Sequence, residues 1–369
     1  MSTRTILVVG GGHTHVEVLR RFALSPEPLV ELVLVSPDGQ TPYSGMLPGL
    51  VAGHYTRDEA HIDLQPLARI ARARFVRDRI VALDAAGSVA TTAGGAELRY
   101  DVASLDIGSL PDLSMPGARE HATGVKPVDA FLARWSAVRD AAIAGHVGRI
   151  VVVGGGAGGV EVLLAMHHRL SHDGAARLPR LALVSDRSNL PAAANRALLA
   201  RLDAAGIEKH FGQGAARFEP GAVVLADGTR VAGDAIFCAT PATAAPWLAT
   251  SGLACDARGF VRVDDHLRST SHAKVFAAGD CATQEGYVHP RSGVYAVRQG
   301  PALAANLRAA ATDRALMRYR PQPRALALIS TGGKHAVAVW GRWSWSGDWV
   351  WRWKDRIDRR FMERYRVEA

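Results

Sequence analysis

Cysteine is scarce in this chain, and its placement argues against thiol chemistry. Only Cys238, Cys255 and Cys281 occur in 369 residues, and no CxxC pair is present. Such spacing gives neither a redox pair nor a metal site, and it is typical of a protein from a reducing compartment. The histidines also lack the spacing of metal ligands, so we expect no metal. These absences predict a cytoplasmic protein whose chemistry does not depend on thiols.

Long apolar runs are missing as well. No window approaches the roughly 20 apolar residues that a membrane-spanning helix needs, and the first apolar run, Ile6 to Val9, is too short for a signal peptide. Hydrophobic residues make up 48% of the chain and charged residues 21%, which predicts a sizeable core in two to three domains. The net charge of +9 would attract anionic partners. No nucleic-acid module is visible, so we predict small-molecule partners and no nucleic acid.

Almost the same twelve residues occur twice. Segment 8–19 reads Val-Val-Gly-Gly-Gly-His-Thr-His-Val-Glu-Val-Leu, and segment 152–163 reads Val-Val-Gly-Gly-Gly-Ala-Gly-Gly-Val-Glu-Val-Leu. Each follows an apolar run and opens a helix-like stretch. One such strand–turn–helix loop is a weak sign of a dinucleotide site, but two suggest two dinucleotide sites in one chain. Proteins with two such sites usually pass a hydride or electrons between them.

Glycines at fixed places give these loops their chemistry. The first permits a tight turn, the second lets the backbone approach a pyrophosphate at the helix start, and the third lets helix and strand pack closely. Gly154, Gly156 and Gly159 supply all three in the second copy, whereas the first copy has Gly10 and Gly12 but a histidine in the third place. A glycine-rich turn without a phosphate is the alternative for each copy.

The segments that follow the two glycine loops are also similar in pattern. Each predicts a β-meander that returns to a strand ending in small residues, at 100–109 and at 233–241. Small residues are expected where a cofactor lies against the carboxyl end of a strand. A further strand ends in Gly279-Asp280, and this acid can accept a hydrogen bond from a sugar hydroxyl; a simple Asp-containing turn is the alternative. Duplication of a whole domain is the simplest account.

With these landmarks, residues 1–310 resemble the FAD-dependent pyridine nucleotide-disulfide oxidoreductase superfamily. The first loop is similar to its FAD site, the second to its NAD(P)H site, and Ala278-Gly279-Asp280 to its second FAD motif. Segments 10–21, 41–50 and 292–301 resemble a subgroup related to type II NADH dehydrogenases, some of whose members are fused ahead of selenophosphate synthetase. His15 is then a subgroup trait. The resemblance implies an α/β fold with two Rossmann-like dinucleotide-binding domains, each a three-layer ββα unit, and a small C-terminal region.

The resemblance also implies a division of the chain and a set of site residues. The FAD-binding domain would comprise residues 1–120 and 241–315, the NAD(P)H-binding domain 121–240, and a C-terminal interface region 316–369. FAD is expected at Gly10, Gly12, His13, Ser36, Pro37, Val81, Gly108, Gly279, Asp280 and Tyr295. NADH or NADPH is expected at Gly154, Gly156, Gly159, Glu161, Asp186 and Arg187. Glu161 would contact the nicotinamide amide or lie on an ordinary helix surface. Asp186 suits the ribose of NADH and Arg187 the 2′-phosphate of NADPH, so both remain open.

The implied reaction is hydride transfer from the nicotinamide to the flavin, followed by delivery of electrons to a second acceptor, with no catalytic side chain assigned. Where disulfide reductases carry cysteines, residues 42–46 read Pro-Tyr-Ser-Gly-Met, and Cys281 is interpreted as a packed small residue. Val294 and Arg298 replace the Gln-containing pattern of type II NADH dehydrogenases. We expect a quinone or other small acceptor near Tyr43 and Arg298. The alternatives are a selenium or sulfur compound, or an NADH-responsive redox switch with little turnover.

The C-terminal region is rich in tryptophan and arginine. Six of the eight tryptophans lie within residues 340–353, and a stripe then recurs every four residues: Trp349, Trp353, Ile357 and Phe361. An apolar stripe among arginines resembles an interfacial amphipathic helix, and aromatic residues are also enriched at dimer contacts. Three surfaces remain as alternatives for burying this stripe: the protein's own domain, the inner face of the membrane in a peripheral contact, and a second copy in a homodimer.

Overall fold

The computed structural model describes residues 3–174, 177–187 and 190–367. The first part of the chain forms strands β1 (Arg4–Val9), β2 (Val30–Val35), β3 (Gln40–Pro42), β4 (His61–Asp63), β5 (Ala73–Val76), β6 (Ile80–Asp84), β7 (Val89–Thr92), β8 (Glu97–Arg99), β9 (Val102–Leu105), β10 (Leu110–Pro111) and β11 (Thr123–Gly124). Its helices are α1 (His13–Leu24), α2 (Leu47–Ala52), α3 (Arg57–Ala60), α4 (Leu64–Ile70) and α5 (Ala118–His121), and a 3-10 turn covers Ser44–Met46.

The middle of the chain forms α6 (Val128–Ile143), β12 (Arg149–Val153), α7 (Ala157–His172), β13 (Arg180–Ser185), α8 (Asn195–Ala204), β14 (Glu208–Phe211), β15 (Ala215–Glu219), β16 (Ala222–Leu225), β17 (Arg230–Ala232) and β18 (Ala235–Cys238). The last part forms β19 (Ala242–Thr243), β20 (Val261–Val263), β21 (Val275–Ala277), β22 (Ala282–Gln284), α9 (Gly293–Ala311), β23 (Ala327–Ser330), β24 (Ala336–Trp340), β25 (Trp343–Gly347) and α10 (Asp348–Glu363). Short 3-10 turns cover Pro246–Thr250 and Gly279–Cys281.

Two parallel five-stranded sheets organise the molecule. Their strand orders are β21-β9-β1-β2-β5 and β11-β18-β12-β13-β14, and each is accompanied by a three-stranded antiparallel meander, β6-β7-β8 or β15-β16-β17. The apolar runs of β1 and β12 are buried almost completely, as expected for parallel strands covered on both faces. This repeated architecture confirms the predicted α/β fold with two Rossmann-like units.

The chain passes between the two sheets twice, and the two crossings lie side by side. Strands β10 and β19 pair in antiparallel fashion, with Leu110 opposite Thr243. The outer strand of the first sheet, β21, follows the second unit in sequence. Its Val275 pairs with Ala103 of β9. The predicted boundaries at 120, 241 and 315 stay predictions, as does the assignment of one cofactor to each unit.

The C-terminal region is a small antiparallel sheet, β23-β24-β25, followed by α10. Val350 and Trp351 of α10 pack on Ala336 and Ala338, and Phe361 joins the core of the first unit. Among the described residues, no helix combines the length and the apolar composition that crossing a bilayer would require.

The stripe predicted on α10 was expected to be covered as one face, and this needs correction because only one of its four side chains is buried. Phe361 is buried, whereas Trp349, Trp353 and Ile357 are 48%, 40% and 40% exposed. The helix instead buries a neighbouring face that includes Lys354, whose charge is paired with a carboxylate one turn away. The helix therefore docks on its own protein through one face and leaves three large apolar side chains exposed.

Candidate functional site

The first glycine of each loop makes the same turn at the carboxyl end of its central strand. Gly10 has φ +92° and Gly154 has φ +128°, values that favour glycine. A Cβ on Gly10 would overlap with the carbonyl oxygen of Asp106, and one on Gly154 with that of Ala239. These two carbonyls are equivalent, because Asp106 follows β9 and Ala239 follows β18. Both loops therefore need glycine here for the same reason.

The third position is filled differently in the two loops, and both solutions serve the packing. A Cβ on Gly159 would overlap with the carbonyl oxygen of Gly154, so only glycine fits there. His15 instead places Nδ1 2.7 Å from the carbonyl oxygen of Gly10 and Nε2 2.8 Å from Oγ of Ser104. Burial lowers the pKa of His15 to about 4, so the ring is neutral near pH 7. A buried imidazole thus replaces close backbone packing in the first loop.

The second loop is open at the helix start. Gly156 has φ −78°, and no atom of the described residues lies within 4 Å of a Cβ built on it. Asp186 and Arg187 follow β13, and both are largely exposed with their charged groups 3.9 Å apart. A dinucleotide pyrophosphate can approach such a loop without displacing a side chain, which fits the predicted nicotinamide site.

The first loop is not open in this way, because a carboxylate lies against it. Oδ2 of Asp106 accepts hydrogen bonds from the main-chain N–H groups of Thr14, at 2.8 Å, and His15, at 3.2 Å. A Cβ on Gly12 would overlap with this carboxylate. Burial raises the pKa of Asp106 to about 6. The start of α1, where a pyrophosphate was expected to bind, therefore already contacts an internal anion.

Asp280 lies beside the same loop and is paired with a residue from the segment before α6. Nζ of Lys126 lies 2.7 Å from Oδ2 of Asp280, and Oγ of Ser109 donates to the same oxygen at 3.3 Å. The N–H of Gly279 donates to Oε1 of Gln299 at 2.7 Å. Polar groups from three distant parts of the chain therefore converge where the resemblance expects the ribityl and pyrophosphate part of FAD.

The remaining residues expected at FAD lie on several elements, and among them Ser36 closely approaches this loop. Ser36 is buried at the end of β2, with its Oγ beside Gly11, and Pro37 follows it at the surface. Gly108 has open space around its Cα and φ +69°. Other expected positions are Val81, which is 41% exposed on β6, and Tyr295, which is buried and stacks on His289 at 4.4 Å.

Helix α10 covers the segment after β3. The ring of Tyr43 stacks on Phe361 with centroids 4.3 Å apart, and its hydroxyl lies near the Asp358 carboxylate, whose negative charge helps burial to raise the pKa of Tyr43. Nζ of Lys354 lies 2.5 Å from Oδ2 of Asp358 and also donates to the carbonyl oxygen of Gly45. His13, the first residue of α1, is edge-on to Tyr43 at 5.4 Å. Charged and aromatic groups therefore meet beside the first loop.

Glu161 of α7 faces the same region from the second unit. Its Oε1 accepts a hydrogen bond of 2.7 Å from the N–H of Ser330. Burial raises the pKa of Glu161 to about 7, although the positive charge of Lys354 opposes this shift. Arg298, by contrast, is exposed on α9. The structure thus brings Tyr43, Lys354 and Glu161 to one region, and it does not bury Arg298 there.

The three cysteines are placed as packed side chains. Cys238 and Cys281 are fully buried, burial raises the pKa of each thiol to about 12, and Sγ of Cys281 lies 3.2 Å from the carbonyl oxygen of Ala278. We expect the triple Cys→Ser variant to keep NAD(P)H:dye activity within about a few-fold, because none of the thiols forms a thiolate near pH 7. Stopped-flow reoxidation would show whether this is wrong: a large loss in a folded variant assigns a thiol to catalysis.

The matched loops have a counterpart among known proteins. Residues 4–300 match the family model described as pyridine nucleotide-disulphide oxidoreductase. The chain belongs to this family. Membership implies an oxidoreductase that uses a flavin and a nicotinamide cofactor. An NADH dehydrogenase-like protein of Mycobacterium tuberculosis is 28% identical over 218 residues, which are 56% of this chain and 54% of that protein. The chain therefore matches about half the length of this curated relative.

Solved structures of the same architecture cover nearly the whole chain. The sulfide:quinone oxidoreductase of Aquifex aeolicus superposes with a TM-score of 0.82 at 16% identity, covering 99% of this chain and 92% of that one. NDH2 of Plasmodium falciparum in complex with NADH gives a TM-score of 0.79 at 11% identity, covering 98% and 97%. At such low identity these similarities show the fold alone.

Sequence reasoning missed four charged residues of this pyridine nucleotide-disulphide oxidoreductase: Asp106, Lys126, Lys354 and Asp358. One of them, Asp106, could have been recognised by comparing the two copies in the sequence. Aligning the two copies sets Asp106 opposite Ala239, so a carboxylate follows β9 where the second copy has a methyl group. The other three are brought to the site by long-range packing, since Lys126 and Asp280 are 154 positions apart in sequence.

Proposed function

We propose that the chain is a FAD-dependent NAD(P)H oxidoreductase that passes electrons to a quinone or another small acceptor. One observation carries this proposal: the same glycine turn occurs at the carboxyl ends of β1 and β12, in two sheets whose four corresponding strands, β9-β1-β2-β5 and β18-β12-β13-β14, follow the same order. In open parallel sheets this edge is where dinucleotides bind. FAD is assigned to the first loop and NADH or NADPH to the second.

The groups around each loop fit these assignments. At the first, Asp280 and Lys126 act on His13 at the helix start, and Ser36 lies beside Gly11. Lys126 is paired with the Asp280 carboxylate that would meet the sugar and phosphate part. At the second, Gly156 leaves room for a pyrophosphate. Bound flavin would supply the electron-transfer chemistry, and the protein positions it and excludes water.

The proposed acceptor site is the region between Tyr43, α10 and Glu161. A quinone takes up protons together with electrons, so its site needs groups that exchange protons near neutral pH. Glu161, with its pKa raised to about 7, meets this requirement, and we assign it this proton exchange in addition to its contact with the nicotinamide amide. The buried Lys354–Asp358 pair and the Tyr43 hydroxyl extend the polar groups toward the first loop. These side chains could hold protons and orient a carbonyl oxygen of the acceptor.

A direct experiment tests the function. The purified protein should be yellow, and heat or acid should release FAD from it. Stopped-flow mixing with NADH or NADPH should bleach the flavin, and a screen of quinones, dyes and selenium or sulfur compounds should identify the fastest reoxidant. A colourless protein that FAD cannot reconstitute would refute the proposal. Flavin reduction that is followed by slow turnover with every acceptor would instead favour a redox switch.

Glu161→Ala is expected to slow flavin reduction by NAD(P)H about tenfold, the cost of roughly one orienting hydrogen bond to the nicotinamide amide. Dye reoxidation of the reduced protein should change less. Glu161→Gln is the control, because its amide oxygen can still accept the N–H of Ser330. If NAD(P)H reduces the flavin of both variants at the normal rate and only its reoxidation by quinone is lost, Glu161 serves the acceptor and not the nicotinamide.

We further propose that the exposed tryptophans form a surface for an anionic membrane. We call Trp340, Trp343, Trp345, Trp349, Trp353 and Ile357 the Trp surface, and each of these side chains is at least 40% exposed. Trp340 pairs with Trp343 and Ala338 with Trp345 across the hairpin, so the three tryptophans lie on the same side of the sheet as α10 and remain exposed beside it. Arg342, Arg352, Arg356 and Arg360 are exposed around them. Indole rings bordered by arginines suit a headgroup layer of negative charge.

A further inference from the structure

A carboxylate occupies the place where the first loop would bind a phosphate. Asp106 is 3% exposed, and its Oδ2 accepts the N–H groups of Thr14 and His15 in the first turn of α1. These N–H groups are among those that a helix start offers to an anion. Cβ atoms built on Gly12 and on Gly279, the glycines of the two predicted FAD motifs, would both overlap with this carboxylate. Asp106 therefore lies between both motifs.

The second loop shows what the first would be without this group. Ala239 is the equivalent residue, since its N–H bonds the carbonyl oxygen of Val153 just as the N–H of Asp106 bonds that of Val9. With a methyl group there, the second loop keeps open space at Gly156. The duplicated units thus differ by one buried negative charge at the phosphate position.

We propose that Asp106 couples FAD binding to proton uptake: its carboxylate competes with the FAD pyrophosphate for the N–H groups at the start of α1, and FAD binds best when Asp106 is protonated. This inference rests on the assignment of FAD to the first loop. Protonation removes the repulsion between two adjacent anions and turns one carboxylate oxygen into a donor toward phosphate. No covalent bond changes; one proton from solvent is bound together with FAD.

Other charged and titratable groups face Asp106 from each neighbouring element. His13 faces it from α1, Asp280 and the Cys281 thiol from the turn after β21, and Lys126 acts on it from the segment before α6 through His13 and Asp280. The pKa of His13 is lowered by burial, and that of Cys281 is raised to about 12.

The direction of the pH effect follows from these values. The pKa of Asp106 is raised to about 6 by burial, and a bound pyrophosphate would raise it further. FAD affinity should therefore be highest below about pH 6 and fall as pH rises, by up to about tenfold per pH unit, until the pH passes the pKa of the FAD-bound form. Near pH 8 the loss reaches at most about a hundredfold.

The test measures FAD binding to the flavin-stripped full-length protein. Quenching of FAD fluorescence at about pH 6 and about pH 8 gives the affinities, and calorimetry in two buffers of different ionisation enthalpy gives the number of protons bound. For the wild type we expect weaker binding near pH 8 with uptake approaching one proton. Asp106→Asn should bind FAD near pH 8 about ten to a hundred times more tightly than the wild type, with proton uptake close to zero.

Two further variants keep the result interpretable. Asp106→Ala reproduces the second loop, so it repeats the test if the asparagine variant does not fold. Asp234→Asn is the matched control, because Asp234 also accepts two main-chain N–H groups, those of Gly148 and Arg149, away from the loop; it should behave as the wild type does. Unchanged affinity and pH slope in both Asp106 variants, or weaker binding, would overturn the inference. A wild type that binds no FAD at either pH would refute the proposed function instead.

Discussion

Gly156→Val should abolish reduction by NAD(P)H in a protein that still folds and still binds flavin. Gly156 has φ −78°, which valine adopts without strain, and open space surrounds its Cα. The valine would occupy the space proposed for the pyrophosphate. We expect the rate of flavin reduction to fall by about a hundredfold or more, equivalent to roughly 3 kcal/mol, with the free energy of unfolding changed by less than about 1 kcal/mol. Stopped-flow absorbance and thermal unfolding measure the two effects.

Gly12→Val is the reciprocal variant, and it should lose FAD while the second unit still binds the nicotinamide dinucleotide. It is the less tolerant position, because the new side chain would overlap with the Asp106 carboxylate. Folding must therefore be checked by circular dichroism before the flavin content is interpreted. If Gly156→Val loses FAD and keeps nicotinamide binding, the two cofactors have been assigned in the wrong order.

Replacing the exposed part of α10 should release the protein from anionic vesicles. We expect the triple variant Trp349→Ser, Trp353→Ser, Ile357→Ser to partition at least about tenfold more weakly, since each lost side chain contributes up to about 1.5–3 kcal/mol when fully buried. Sedimentation with vesicles of phosphatidylglycerol and phosphatidylcholine measures this. Added salt should weaken wild-type binding, because the attraction of the arginines is screened.

Deleting residues 347–369 would be a poorer test, because α10 also has a buried face. Phe361 stacks on Tyr43, and the hydroxyl of Tyr365 donates to Glu17 of α1; truncation should therefore destabilise the protein. Leu24→Ser is a matched control, since Leu24 is 69% exposed outside the Trp surface. A wild type that ignores vesicles but dimerises, and becomes monomeric in the triple variant, would contradict the membrane proposal and identify a second copy as the partner.

Most elements of the fold could be predicted from local sequence patterns. The glycine loops, the two meanders, the strand before Gly279-Asp280 and the helix that contains the C-terminal stripe all lie where the sequence places them. Each of these depends on neighbours within a few residues: apolar runs, turn residues, or an apolar period of about four. Duplication helped further, because a weak motif that recurs in the same setting is a strong one.

The parts that escaped prediction depend on distant contacts. The sequence pattern placed Phe361 in one stripe with Trp349 and Trp353, but α10 rotates so that Lys354 and Asp358 face inward. Two charges can be buried here because they neutralise each other and because Lys354 also donates to the carbonyl oxygen of Gly45. Amphipathic periodicity assumes that charged residues stay in water, so it misjudges a helix whose docking face contains an ion pair.

The strand order has a consequence for synthesis on the ribosome. Every strand of the second parallel sheet has been made once the chain reaches Cys238, but the first sheet lacks β21 until Val275 to Ala277 emerge. The second parallel sheet, although most of its strands come later in the sequence, is therefore completed before the first. Until then β9 presents an unpaired parallel edge beside the loop that follows β1, a surface open to wrong pairing. The nascent chain must keep this edge free while its neighbour folds.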